Sequence, residues 1–156
     1  MNMKEVELIY HLIPLHEIKR IEPLWKELNR LHGEESVYFG DYFLSFTFDE
    51  RCQKFLAGKC TGLRIEIAEA EAEDVGYCIA SISGENTGEI DSIYIKEAWR
   101  KKGIGTRLVS HALAWMDDCG AAKKRVMVAF GHENVFPFYK QFGFYPRLAV
   151  LEQKGC

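Results

Sequence analysis

The residues best equipped for chemistry lie between Glu89 and Thr106. Glu89, Asp91, Ile93 and Ile95 alternate with Ile90, Ser92 and Tyr94, the period-2 pattern of a strand, so Glu89 and Asp91 share one face. A basic turn follows: Arg100, Lys101, Lys102, Gly103, Ile104, Gly105, Thr106. From Ile104 the period changes, and Ile104, Leu108, Ala112 and Trp115 recur at helical spacing. A glycine-containing basic turn that feeds a helix N-terminus is a physical anion site. The first helical N–H groups lack partners, the helix dipole favours negative charge, and glycine lets a phosphate approach the backbone. The turn is neither a Walker A loop nor the three-glycine dinucleotide fingerprint.

Arg100-x-x-Gly103-x-Gly105 after a strand resembles the acyl-CoA pyrophosphate loop of the GCN5-related N-acetyltransferase (GNAT) family. Phe138-Tyr139-Lys140-Gln141-Phe142-Gly143-Phe144 resembles that family's F-Y-x-x-x-G-F segment, in the family's order and spacing. The resemblance covers roughly residues 60–150 by motif and element order, and the first third only by layout.

The resemblance implies that Arg100, Lys101, Lys102, Gly103, Ile104, Gly105 and Thr106 hold the CoA pyrophosphate. It places the pantetheine arm along Ile93, Tyr94 and Ile95, where the fourth and fifth strands splay. A backbone N–H at the end of the fourth strand would then polarise the thioester carbonyl. Ile93 and Ile95 read equally as core positions, and a buried side chain and a ligand-facing amide can belong to one residue. Tyr139 is implied as the general acid that protonates the departing thiolate. Glu89 occupies the position of the base in the histone-acetylating branch; Asp91, on the same face, is the second candidate. A base is needed because a lysine-type amine, with a pKa of about 10.4, is protonated at neutral pH. The family often carries Asn seven residues before the Tyr. This chain has His132 there, with Asn134 two residues later, so that contact is either lost or taken over by His132 or Asn134.

The elements that must position these residues follow from periodicity and breakers. Val6 to Ile13 reads as a strand ended by Pro14. Leu15, Ile18, Ile21, Leu24, Leu28 and Leu31 form a helical stripe that Pro23 kinks or splits, with Gly33 as a stop. Residues 34–42 read as a loop. Its Glu34, Glu35 and Asp41 beside Tyr38, Phe39 and Tyr42 either hold a cationic acceptor or cap the core. Phe43 to Leu56 reads as one helix. Leu63 to Ala68 and Val75 to Ser83 read as a hairpin around an acidic turn at Glu69 to Asp74. After the third helix, which ends near Gly120, Arg125 to Phe130 reads as a strand buried on both faces. Val135 to Phe142 is a short helix stopped by Gly143, and Tyr145 to Glu152 a last strand. The order is β-α-α-β-β-β-α-β-α-β, an α/β fold with a mixed sheet flanked by helices, which is also the GNAT order.

The sequence has 156 residues, enough for one domain with a sizeable core, and shows no repeat or linker. We read residues 1–156 as a single domain. Its net charge of −3 implies no general affinity for nucleic acid, so the basic turn at 100–102 is a local feature suited to a small anion. The cysteine count is odd, with no Cys-x-x-Cys pair, and the histidines lack metal-ligand spacing. Free thiols fit a reducing cytoplasm. No signal peptide or apolar run of transmembrane length occurs.

The resemblance therefore implies an N-acetyltransferase that uses acetyl-CoA and transfers directly to a primary amine of a small molecule. A protein amine is an alternative acceptor. A non-catalytic acyl-CoA-binding module is an alternative of another class. The resemblance also allows a homodimer.

Overall fold

The computed structural model describes residues 4–155 and contains one five-stranded sheet in the order β1-β2-β3-β4-β5. The strands are β1 (Leu8–Ile13), β2 (Cys60–Ala70), β3 (Glu73–Ser83), β4 (Thr87–Ile95) and β5 (Lys123–Val126). Neighbouring strands are antiparallel up to β4, and β4 and β5 are parallel. The α/β mixed sheet flanked by helices is the architecture the residue pattern implies.

Helices cover both faces. On one side lie a 3-10 segment (Leu15–Ile21), α1 (Glu22–Glu35), α2 (Gly40–Ser45) and α3 (Phe48–Leu56). Pro23 sits in the first turn of α1, where its missing N–H costs nothing, so it splits the Leu15–Leu31 stripe in two. Ile18, Ile21, Leu24, Trp25, Phe48, Cys52 and Phe55 pack here against Ile65, Ile67, Tyr77 and Ile79 of the sheet. On the other side α4 (Ile104–Asp118) buries Ile104, Leu108, Val109, Ala112 and Met116, and α5 (Phe136–Lys140) buries Tyr139. Each fully buried aliphatic side chain contributes roughly 1.5–3 kcal/mol.

Four expectations need correction. The helix expected over Phe43–Leu56 is two helices. Thr47 interrupts it as the N-cap of α3, its hydroxyl accepting from the Glu50 N–H at 3.1 Å. Gly33 does not stop α1, which runs to Glu35. The strand expected over Arg125–Phe130 is shorter and buried on one side only. Val126 and Val128 lie against the α4 cluster, whereas Met127 is 75% and Phe130 65% exposed. β5 is an edge strand, and nothing among the described residues pairs with its outer side. The last strand, Tyr145–Glu152, does not form. That segment has no partner strand, Pro146 lacks an N–H, and Leu151 is 96% exposed.

Cys52, Cys60, Cys78 and Cys119 are free, and Cys156 lies outside the described residues. No helix among the described residues is long and apolar enough to cross a membrane.

The β2–β3 hairpin is tighter than the acidic run 69–74 suggests. Ala70 pairs with Glu73, leaving only Glu71 and Ala72 in the turn, at φ 53° and 62°. Two side chains in the left-handed region match a type I′ turn but carry a steric cost that glycine avoids. Ala72→Gly is expected to stabilise the protein by about 1 kcal/mol in urea unfolding, with an unchanged m-value.

Candidate active site

The site begins where two strands part. β4 and β5 pair only from Thr87↔Lys123 to Ile90↔Val126. At the next residue β4 bulges: Ile90 faces Ala80 and Ser92 faces Ile79, so Asp91 has no partner on β3. Beyond the bulge β4 stays paired with β3 through Ile93↔Cys78, Tyr94↔Tyr77 and Ile95↔Gly76. Its other edge faces no strand among the described residues. Arg51 takes the Asp91 carbonyl and Arg100 the Ile95 carbonyl, so the backbone groups left to a ligand on that edge are those of the stretch between them. A buried hydrogen bond of 2.7 Å between Tyr77 and Ser92 fixes the strand just past the bulge. Ile93 and Ile95 pack towards α4, and Tyr94 towards the opposite face.

Glu89 and Asp91 come together on the α3 side. Lys54 of α3 donates to Glu89 Oε2 at 2.7 Å and to Asp91 Oδ1. Arg125 of β5 stands 3.8 Å from the same Glu89 oxygen. The Asp91 side chain is 0% exposed, and its Oδ2 has no hydrogen-bond partner. A buried, unsatisfied polar group of this kind costs roughly 1–3 kcal/mol. Burial pushes the Asp91 carboxyl above its ordinary pKa, against the opposing pull of Lys54. Burial also works against charge on Lys54, but its hydrogen bonds to both carboxylates outweigh that, and its pKa rises. Arg51, one turn earlier on α3, donates to the Asp91 carbonyl and lies 5.7 Å from the Phe55 ring.

The basic turn forms the other end. Gly103, at φ 83°, is the N-cap of α4 and offers no side-chain cap. The first intrahelical bond runs from the Arg107 N–H to the Gly103 carbonyl, so the amides of Ile104, Gly105 and Thr106 start the helix without intrahelical partners. Lys101, at φ 61°, and Lys102 are exposed beside them, with the Lys102 ammonium 6.0 Å from the Trp99 ring. Arg100 folds back: its Nε donates to the Ile95 carbonyl at 2.9 Å and its guanidinium lies 5.4 Å from the Tyr94 ring. Gly105 is where the two motif segments meet. A Cβ there would touch Phe138 at 3.5 Å and Ile95 at 3.8 Å.

Tyr139 is buried in the α4 cluster with Cys78, the residue that pairs with Ile93, so the phenol lies on the splayed half of β4. Burial holds its pKa well above that of an ordinary tyrosine. Cys78 beside it is an inert thiol, pushed up to about 12 by burial. His132 and Asn134 diverge. Asn134 is exposed, whereas His132 Nδ1 bonds to Glu35 Oε2 at the end of α1. The His32 ring meets His132 edge-on at 5.2 Å, and burial lowers the His32 pKa to about 4. Gly131, at φ 101°, passes so close to α1 that a Cβ would stand 2.3 Å from the Glu35 carbonyl oxygen. Of the loop carboxylates, Glu34 bonds Arg30 at 2.7 Å in an exposed pair, and Glu35 bonds His132.

Lys54 and Arg51 are absent from the residues singled out in the sequence. They lie 35 and 40 residues from their β4 partners and read as ordinary polar positions on a helix. Only their i, i+3 spacing, which puts both on one face of α3, offers a signal.

A model of the acetyltransferase (GNAT) family matches residues 24–144. No curated protein sequence matches the chain. Among solved structures, the fold is similar to the aminoglycoside N-acetyltransferase AAC(6')-Iy in complex with CoA, at 15% identity over 100% of both chains and a TM-score of 0.68. It is also similar to the BH1408 protein of Bacillus halodurans, at 17% identity over 94% of this chain and 99% of that one, with a TM-score of 0.72. A ribosomal-protein-alanine N-acetyltransferase of Brucella melitensis matches at 15% identity over 96% and 100%, with a TM-score of 0.65. Matched along most of its length by this family's model, and with parted strands beside an uncapped helix N-terminus, the chain belongs to the acetyltransferase (GNAT) family.

Proposed function

We propose that the protein transfers the acetyl group of acetyl-CoA directly to a primary amine of a small molecule, as one catalytic domain. The observation that carries this reading is the end of β4–β5 pairing at Ile90, which opens backbone groups between a buried carboxylate pair and a buried phenol. The pyrophosphate would sit on the amides of Ile104, Gly105 and Thr106, with Lys101 and Lys102 adding charge. Arg100 supports the turn by tying it to Ile95. The pantetheine arm would run along Ile93 to Ile95, with Asn134 at the rim.

The acceptor amine arrives protonated and gives its proton to the carboxylate pair. Asp91 is the better placed of the two, because burial raises its proton affinity and its Oδ2 is unpartnered. Glu89, bonded by Lys54 and near Arg125, supports that carboxylate. The neutral amine attacks the thioester carbonyl, a β4 amide stabilises the oxyanion, and the C–S bond breaks. Tyr139 then protonates the thiolate, and the second proton lost by the attacking nitrogen restores the phenol. The phenol is protonated at neutral pH, which is the state a proton donor needs.

Four outcomes test this reading, in a thiol-release assay over a panel of amines and in CoA binding. Tyr139→Phe is expected to lower kcat by about 10²-fold while the CoA affinity from calorimetry stays unchanged; a wild-type kcat removes Tyr139 from the mechanism. The acid limb of the wild-type kcat/KM profile is expected above the ordinary aspartate value of about 3.9, because the base form of a carboxyl with raised pKa is lost sooner as pH falls. Asp91→Asn should abolish that limb and lower kcat/KM by about 10²-fold. Replacing Lys101 and Lys102 together with Ala should weaken CoA binding about tenfold, with a shallower salt dependence and little effect on kcat.

A further inference from the structure

The charges around the bulge are unequally satisfied. Glu89 has Lys54 and Arg125, Asp91 Oδ1 has Lys54, Glu35 has His132, and Glu34 has Arg30. Arg51 alone among the cations at the bulge has no carboxylate partner within the described residues. Its side chain donates a hydrogen bond to a backbone carbonyl, that of Asp91. A guanidinium presents five donors in a planar fork matched to a carboxylate, so most of its capacity is unused.

The sign of the local charge agrees. Of the charged groups bonded together at the bulge, Arg51, Lys54 and Arg125 are cations and Glu89 and Asp91 are carboxylates, an excess of one positive charge within the cluster. Neighbouring His32 adds none at neutral pH, since burial holds its ring pKa at about 4. A polycationic acceptor would meet net repulsion at this end of the site, and an anionic group would meet attraction. A second observation concerns the residue whose carbonyl Arg51 holds. Asp91 Oδ2 is a buried acceptor atom without a donor. An unfilled acceptor on the side chain of Asp91 and an unfilled guanidinium on its carbonyl lie within a few bonds of each other.

We infer that the acceptor is a small amine that also carries a carboxylate, an amino acid or close analogue, whose carboxylate binds Arg51 while its amine meets Asp91. This rests on the acetyltransferase reading above and narrows its substrate class. Lys54, which covers Asp91 with a side chain 36% exposed, is the group that withdraws to admit the amine. Fork geometry makes Lys a poor substitute at position 51, because a point charge cannot pair with both carboxylate oxygens in one plane.

The test compares acceptors that differ only by the carboxylate: ornithine with putrescine, lysine with cadaverine, phenylalanine with phenethylamine. The wild type is expected to favour the amino acid of at least one pair by about tenfold or more in kcat/KM. Arg51→Met should erase that preference through KM, and Arg51→Lys should restore part of it, with CoA affinity unchanged in both. Preference for the decarboxylated amines, or a preference that survives Arg51→Met, overturns the inference and leaves Arg51 as a clamp on the bulge. Should no amine turn over, the small-molecule reading fails, and binding decides the Arg51 site separately. In CoA-saturated wild-type protein, the Arg51 Nε–H resonance should move with N-acetylphenylalanine and not with N-acetylphenethylamine. Movement with neither probe, or equal movement with both, overturns the inference. This arm needs no variant, so it also decides the matter if Arg51→Met does not fold.

Discussion

The arrangement of this molecule depends on a sheet that stops pairing partway along one strand. A strand edge left inside a protein normally costs free energy, because each unpaired N–H and C=O has given up water. Here the loss is confined to the stretch of β4 after Ile90, and the bulge at Asp91 separates the paired half from the open one. Tyr77 and Ser92 hold the open half on β3, so the strand keeps its line without a neighbour on its outer side. α4 and α5 cover one face of the opening, and α1 to α3 the other.

Electrostatics ties these layers together. Two carboxylates on one strand face would repel each other and resist burial, but Lys54 reaches across from α3 and bonds both. The same three groups join the helical layer to the sheet at the point of divergence. A charged cluster is an expensive way to stabilise a fold, since desolvation offsets most of the attraction. This one sits at the bulge with one oxygen still unpartnered, between two otherwise apolar layers.

The legible part of the structure is the part encoded locally. Pro23 splits its stripe, Ile104 to Met116 presents one apolar face, and the basic turn opens α4, each as residue spacing implies. Thr47 with Glu50 is a local capping signal that the apolar run Phe43–Leu56 conceals. The failure of the last strand is not local: Leu148, Val150 and Leu151 suit a strand, but a strand requires a partner, and β5 ends at Val126. Tyr139 and Glu89 carry flanks that suggest a role. Lys54 and Arg51 carry none, because their meaning lies in contacts 35 to 40 residues away. Glu35 was readable as an acid on a loop, while its engagement by His132 depends on tertiary packing.

The crossing of Gly131 over the end of α1 has an evolutionary consequence. At most glycines with positive φ in this chain, such as Gly58, Gly120 and Gly143, an added Cβ meets nothing within 4 Å, so substitution costs only backbone strain. At Gly131 it meets the Glu35 carbonyl oxygen at 2.3 Å, a main-chain atom that cannot swing aside. The position tolerates no other residue unless the last turn of α1 moves as well. Glu35 and His132 are bonded at the same crossing, although 97 residues separate them in the chain. The end of α1 and the loop before α5 are thus free to drift only in concert. Among relatives of this protein these two short segments should vary as one inherited block, each combination preserving the fit between them.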